Sequence, residues 1–235
     1  MSKKNKWDNY GTFIEPIVPE ERNKRQAGII QSLIGRLIKN SSKILDLGTG
    51  DGLIRKRLEE LNKKKIIGMD REIRTAKYKK NLVVGNIESI PFKDNSFDLI
   101  ILNGVYQYIK SKDKSIKEIS RVLNKDGYLF IATPLKHAIK EGNYMLYFLS
   151  WLPRGLANIY LRIFRGIKKY YVYQETYSKL NSRLSRFFRV TDLSLKAYSN
   201  DNSLKSRFLK TIPFWIYAWI LRPFNPNIKL LCRKR

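Results

Sequence analysis

Between residues 43 and 133 the chain alternates short, almost unbroken apolar runs with amphipathic segments, and that order admits few architectures. The segments "KILDL" (43–47), "KIIGM" (65–69), "LVVG" (82–85), "FDLIIL" (97–102) and "YLFIAT" (128–133) read as strands, the last stopped by Pro134. Between them, "LIRKRLEEL" (53–61), "REIRTAKYKK" (71–80) and "DKSIKEISRVL" (113–123) carry helical spacing. The first of these helices is expected to bury Leu53, Ile54, Leu58 and Leu61. The last is expected to bury Ile116, Ile119 and Leu123, with Asp113 as its cap and "NKDG" (124–127) as the turn that follows. A helix ahead of the first strand shows one apolar face at Ile30, Leu33, Ile34, Leu37 and Ile38 and ends at "NSS" (40–42). Strands that are apolar on both sides need cover on both faces, which means a parallel sheet flanked by helices.

Past Pro134 the pattern changes. Residues 143–173 mix Tyr, Phe, Trp and Leu with Arg and Lys, and Pro153 and Gly155 divide them into two expected helices. Thr176 or Ser178 is placed to cap a further helix before a sixth strand, "RVTDLSL" (189–195). A helix over 203–221 and a last strand, "NIKLLC" (227–232), follow. The expected fold is α/β: a Rossmann-like, seven-stranded, mostly parallel sheet with helices on both faces. Aromatic, basic helical insertions follow strand 5 and separate strands 6 and 7.

The first strand runs into "LGTGDG", which puts Gly48, Gly50 and Gly52 at the carboxyl end of a parallel strand. Ligands of such sheets bind beyond that end, where strand order reverses. A bare backbone there lets a ligand approach closely and leaves N–H groups exposed at a helix start, a setting that favours negative groups. The alternative is a turn whose glycines serve packing alone. Asp70 ends the second strand, 24 residues beyond Asp46. It is placed to accept hydrogen bonds from ribose hydroxyls, to cap the following helix, or to do both.

With these blocks in place the chain resembles the class I S-adenosylmethionine-dependent methyltransferases, in particular the type 11, ubiquinone–menaquinone-biosynthesis-like group. The resemblance is carried by "ILDLGTGDG" (44–52), "GMD" (68–70), "GNIESIPFKDNSFDLIILN" (85–103) and "ISRVLNKDGYLFIATP" (119–134). It implies that Asp46, Gly48, Thr49, Gly50 and Gly52 form the loop under the methionine part of S-adenosyl-L-methionine. It further implies that Asp70 holds the ribose, that Met69 and Arg71 flank the adenine, and that Asn86 and Ile87 contact it. Asn86 stands where relatives usually carry Asp. Asn103 and Gly104 are implied to line the cofactor near its sulfonium, with S-adenosyl-L-homocysteine as product and no metal. "NGVY" (103–106) lacks the two prolines found at this place in many amino-group methyltransferases, which argues against exocyclic-amine chemistry on DNA. The division that follows is an arm over 1–19 and one methyltransferase domain over 20–235. Within the domain, 20–134 binds cofactor, 135–188 is an insertion or substrate lid, and 189–235 holds the C-terminal strands with an amphipathic helix.

Methyl transfer from a sulfonium is an in-line displacement whose donor is already activated, so the protein mainly positions two reactants and excludes water. A general base is needed only when the nucleophile must lose a proton. His137, the only histidine, lies just past the fifth strand and is the candidate base of an O-methyltransferase; an ordinary surface histidine is the alternative. Tyr106 and Tyr108 are candidate substrate contacts, against core or lid packing.

Charge bears on the acceptor. Forty-seven Lys and Arg against twenty Asp and Glu leave a formal +27. Residues 142–235 hold 18 basic and 3 acidic residues, a bias that attracts polyanions or an anionic membrane surface. The expected acceptor is a small molecule or a lipid- or glycolipid-linked one, with an O- or C-nucleophile, and 144–171 and 203–224 are the candidate membrane contacts. The same stripes also suit the protein's own core or a dimer face. An RNA methyltransferase using the basic tail and a non-catalytic cofactor-binding protein are the competing functions. The longest apolar run, "IPFWIYAWIL" (212–221), has ten residues, well short of the roughly 20 that span a bilayer. A lone Cys232 fits a reducing compartment, so the expectation is a cytoplasmic protein, peripheral on the membrane if bound to it.

Overall fold

A computed structural model describes residues 19–72, 76–199 and 216–235. The expected arm therefore lies outside the described residues up to 18, and the expected helix over 203–221 does so up to 215.

The seven-stranded sheet is present. Strands β1 (Ile44–Leu47), β2 (Ile66–Asp70), β3 (Leu82–Val84), β4 (Phe97–Asn103), β5 (Leu123–Thr133), β8 (Phe188–Asp192) and β9 (Ile228–Lys234) lie in the order β3-β2-β1-β4-β5-β9-β8. The first five are parallel, and β9 runs antiparallel between β5 and β8. Strand order reverses between β1 and β4, so the crevice at their carboxyl ends is where this topology places a ligand.

The pleat sends alternate side chains of each strand into two cores. Phe97, Ile100 and Leu102 of β4 and Leu129 and Ile131 of β5 meet Ile116, Ile119 and Val122 of α3 (Lys112–Val122) and Leu180 and Leu184 of α5 (Tyr177–Ser185). On the opposite face, Leu99, Ile101, Phe130 and Ala132 meet Ile30, Leu33, Ile34 and Ile38 of α1 (Pro19–Asn40), Leu58 of α2 (Leu53–Asn62) and Ala197 of α6 (Ser194–Ser199). Cys232 is wholly buried on β9, and burial pushes its thiol well above the ordinary range. A third core lies in the stretch after β5. There Tyr144, Leu149, Tyr170 and Val172 close around Ala157 and Leu161 of α4 (Arg154–Arg165).

Several local expectations are corrected. Among its described residues, 71–80 is not helical. Its backbone is used elsewhere: the Lys77 and Tyr78 amides donate to the Asp51 carbonyl at 2.9 and 3.0 Å, and the Tyr78 carbonyl accepts from Arg55. α2 is rotated from the expected face. Arg55, Leu58 and Asn62 point inward while Leu61 is 40% exposed, because Asn62 exchanges side-chain hydrogen bonds with Gln31 of α1 at 2.6 and 3.1 Å. Asp113 does not cap α3: Ser111 occupies the cap position, and Asp113 in the first turn pairs with Arg183 and Arg186 of α5 and the residue following it. Residues 124–127 are a bulge inside β5, where pairing with β4 jumps from Phe97–Leu123 to Leu99–Tyr128.

In the stretch after β5, Gly155 does not interrupt a helix. α4 starts directly after Pro153 and runs through Gly155 to Gly166, whose φ of 68° ends it. The residues ahead of it form a small hairpin, β6 (Lys140–Glu141) with β7 (Leu146–Tyr147), and a short 3-10 turn at Leu149–Trp151. Thr176 is the cap of α5, its hydroxyl accepting from the Lys179 amide at 3.3 Å. β8 stops at Asp192 because that carboxylate accepts from the Ser194 amide at 2.9 Å and starts α6.

Arg55 is the one fully buried guanidinium among the described residues, and three of its donors are engaged. Its replacement by Met leaves the carbonyls of Ile66 and Tyr78 without that partner. Urea denaturation is expected to show a loss of about 3 kcal/mol, the scale for breaking a buried charged network.

Candidate functional site

At the carboxyl end of β1 the chain turns sharply through Gly48, Gly50 and Gly52, all at positive φ. The turn is held from below. The Gly48 and Thr49 amides donate to the Met69 carbonyl of β2 at 2.7 and 3.2 Å, and Gly52 donates to the Thr49 carbonyl at 3.0 Å. From above, the Gly50 amide donates to Asp70 Oδ2 at 2.9 Å, while Asp70 Oδ1 accepts from the Glu72 amide at 3.2 Å. Asp70 thus clasps the turn and also shapes the exit from β2, although no helix follows it among the described residues. A carboxylate offers about four acceptor positions. Two are used here, so two remain for a ligand.

The glycines differ in what lies beside them. A Cβ on Gly48 would meet Val105 at 2.4 Å, and one on Gly52 would meet the Tyr78 carbonyl at 2.7 Å. Those two positions are explained by the protein's own packing. Gly50, with φ +56°, and Gly104, with φ +70°, have nothing within 4 Å of where a Cβ would stand. They sit at the ends of the adjacent strands β1 and β4, on either side of the crevice. Side chains at these two positions would fill space that the protein itself leaves open.

Asp46 lies beneath the turn, 7% exposed, bonded to Thr49 and near Arg55. Desolvation raises its carboxyl pKa to about 6, against the lowering effects of the Thr49 hydrogen bond and the Arg55 charge. Arg55 donates to Thr49 Oγ1 at 3.3 Å, to the Ile66 carbonyl at 3.1 Å and to the Tyr78 carbonyl at 3.1 Å. Asn23 of α1 reaches the same turn by donating to Asp51 Oδ2 at 3.0 Å. Arg55, Asn23 and Asp51 do not stand out in the sequence. For Arg55 the signal was positional: it lies three residues before Leu58, on the face that packs inward.

The remaining candidate residues fall into three groups. Asn103 ends β4 beside Gly104; Asn86, whose Oδ1 accepts from the Glu88 amide at 3.0 Å, follows β3 with Ile87; Arg71 is exposed just past Asp70. All of these lie at the carboxyl edge of the sheet. Tyr106 is buried, its hydroxyl donating to Glu175 at 2.6 Å, and Tyr108 is 40% exposed with its hydroxyl on Asn143. His137 packs edge-on against Trp151 at 5.6 Å, in an aromatic group completed by Phe148 and Phe224.

Residues 45–131, which hold the glycine turn, Asp70 and Gly104, match the family model described as a methyltransferase domain. Over this stretch the chain is similar to the class I S-adenosylmethionine-dependent methyltransferases. An uncharacterized Methanocaldococcus jannaschii protein is 35% identical to it over 118 residues, 48% of this chain and 44% of that protein. A ubiquinone biosynthesis O-methyltransferase of Pelagibacter ubique is 33% identical over 127 residues, 48% of this chain and 52% of the relative. The match therefore spans about half the length of these curated relatives. The solved structure of a Pyrococcus horikoshii protein shares the fold, with a TM-score of 0.60 at 14% identity over the whole of both chains.

The buried Asp46 gives the fold a pH signature. Its folded pKa of about 6 lies above the ordinary 3.8, so the native state holds the proton more tightly than the unfolded chain. The resulting stabilisation is full below about pH 4 and is lost as pH rises through about 6. Asp46→Asn removes this dependence. The stability difference, variant minus wild type, is expected to rise by about 2 kcal/mol from pH 4 to pH 7 in chemical denaturation.

Proposed function

We propose that the protein transfers a methyl group from S-adenosyl-L-methionine to a small-molecule or lipid-linked acceptor, through an oxygen or carbon nucleophile, at an anionic membrane surface. The observation that carries the transfer itself is the pair Gly50 and Gly104, at positive φ and facing open space across the β1/β4 crevice. When bound, the cofactor supplies a methyl group already activated on a sulfonium. The protein's part is placement. Asp70 offers its two remaining acceptor positions to the ribose hydroxyls, and Gly50 and Gly104 leave backbone rather than side chain against the donor. Asn103 and Gly104 border the place where an acceptor approaches, and the third core is built from the stretch that follows β5. A base is required only for an acceptor that must be deprotonated, and His137 is the residue proposed for that role.

The membrane part of the proposal is supported by α4. Its Ala157 and Leu161 are buried, whereas Leu156, Ile159, Ile163 and Phe164 are 54–70% exposed. Arg162, Lys168 and Lys169 lie on or just past the same helix. An apolar ridge rimmed by cations suits the boundary between acyl chains and anionic headgroups. No helix among the described residues is long and apolar enough to cross a membrane.

Calorimetric titration with S-adenosyl-L-homocysteine tests the first part. Asp70→Asn is expected to weaken binding about 10- to 100-fold, the scale of hydrogen bonds to a charged acceptor. Gly50→Val fills the open cradle and is expected to remove measurable binding while circular dichroism shows a folded protein; unchanged affinity in both variants refutes the assignment. For the second part, flotation with phosphatidylglycerol vesicles is expected to fall about tenfold in the Ile159→Asp/Ile163→Asp variant, with homocysteine-product binding intact. Equal flotation of variant and wild type rules out α4 as the membrane contact.

A further inference from the structure

A cavity of about 560 Å³ opens between the start of α3, the stretch Tyr173–Glu175, and the starts of α4 and α5. That volume lies within the roughly 300–1,000 Å³ of small-molecule sites. Its lining is strongly one-sided: Lys110, Lys112, Lys114, Arg154, Lys179 and Arg183. Two carboxylates also line it, Asp113 and Glu175; both pair with Arg183, and Glu175 also pairs with Lys179 at 3.7 Å and accepts from Tyr106. Lys110 and Lys114 form no ion pair among the described residues. Arg154 stacks over the Tyr173 ring at 4.0 Å, which orients its guanidinium without neutralising it. Lys112 is buried, its ammonium donating to the Tyr106 and Ile109 carbonyls at 3.2 and 2.7 Å. With Arg183 and Lys179 paired to the two acids, Lys110, Lys112, Lys114 and Arg154 remain as an excess of positive charge in one concavity, a field that draws an anion.

The position of the cavity ties it to the methyl-transfer crevice. β4 and β5 are parallel neighbours; Lys110–Lys114 follow β4 after one short turn, and Tyr173–Lys179 lead from the segment above β5 into α5. Both stretches lie at the carboxyl end of the sheet, as Gly104 does. A run of hydrogen bonds joins them: Gln107 Nε2 donates to the Gly104 carbonyl at 2.9 Å, and the Tyr173 amide donates to the Gln107 carbonyl at 2.7 Å. A group held in the cavity is thus anchored one side chain away from the wall of the crevice.

We propose that this cavity is the subsite for a phosphate group carried by the methyl acceptor, a phosphomonoester or diphosphate gripped by Lys110, Lys114 and Arg154. Phosphate fits better than carboxylate because its oxygens accept from several directions, and the cations converge from three segments. The cations are gathered in one open concavity, which suits a terminal phosphate better than the continuous track that a nucleic-acid backbone requires. The inference rests on the methyl-transfer reading above.

Pyrophosphate is the probe, titrated calorimetrically into the full chain at about 0.15 M salt. The wild type is expected to bind it, and Lys110→Ala/Lys114→Ala to weaken it by about tenfold. Lys56→Ala/Arg57→Ala, on the exposed face of α2, controls for overall charge and is expected to leave affinity within about twofold. No heat at millimolar pyrophosphate overturns the proposal, as does an equal loss in the two double variants. A single-stranded RNA that displaces pyrophosphate and loses affinity in the same variant also overturns it, in favour of a nucleic-acid contact. Parallel titration with S-adenosyl-L-homocysteine separates the failures: cofactor binding without pyrophosphate binding sinks the subsite alone. Phosphatidic acid vesicles identify the carrier within the proposal. Release by pyrophosphate assigns the phosphate to a lipid headgroup, and vesicle binding indifferent to pyrophosphate assigns it to a soluble ester.

Discussion

The glycine turn has its shape because Arg55 stands under it. A guanidinium with no exposure is tolerated only when its donors are satisfied, and here they reach the turn at Thr49, the second strand at Ile66 and the following segment at Tyr78. Its Cζ also lies over the Tyr78 ring, 4.6 Å from the ring centre. One side chain thereby fixes the spacing between β1's exit, β2's entry and the connection to β3. The Asp46 carboxylate, desolvated beside it, owes part of its ionised population to that charge.

Above this foundation the three glycines of one short motif do different work. Gly48 and Gly52 allow close packing against Val105 and Tyr78, and Gly50 alone faces open space. Its partner across the crevice, Gly104, comes from a different strand 54 residues later. Asp70 connects the two functions of the turn, since the carboxylate that clasps Gly50 retains acceptor positions on its outer side. The floor of the site is thus rigid by hydrogen bonding and bare by composition.

The sheet was legible in the sequence because its strands are apolar on both sides and regularly spaced, which leaves little choice of architecture. The glycine turn and Asp70 were legible for the same reason: they fall at strand ends that the periodicity locates. Arg55 was not, because a charged residue on an amphipathic helix ordinarily faces solvent, and only the carbonyls waiting below reverse that preference. The segment 71–80 has helical spacing, yet its backbone is claimed by Asp51 and Arg55, partners that local periodicity cannot reveal. Asp113 looks like a cap in the sequence, but its attraction to Arg183, 70 residues away, outcompetes the local turn. The basic cavity draws on residues from 110 to 183 and emerges only when α3, α4 and α5 are brought together.

The single thiol has a consequence of its own. Cys232 sits in a strand hydrogen-bonded on both edges, sealed from water and held in its unreactive protonated form. Alkylating reagents meet it only when β9 parts from β5 or β8, so the rate of its labelling is a clock for the opening of the sheet's antiparallel border.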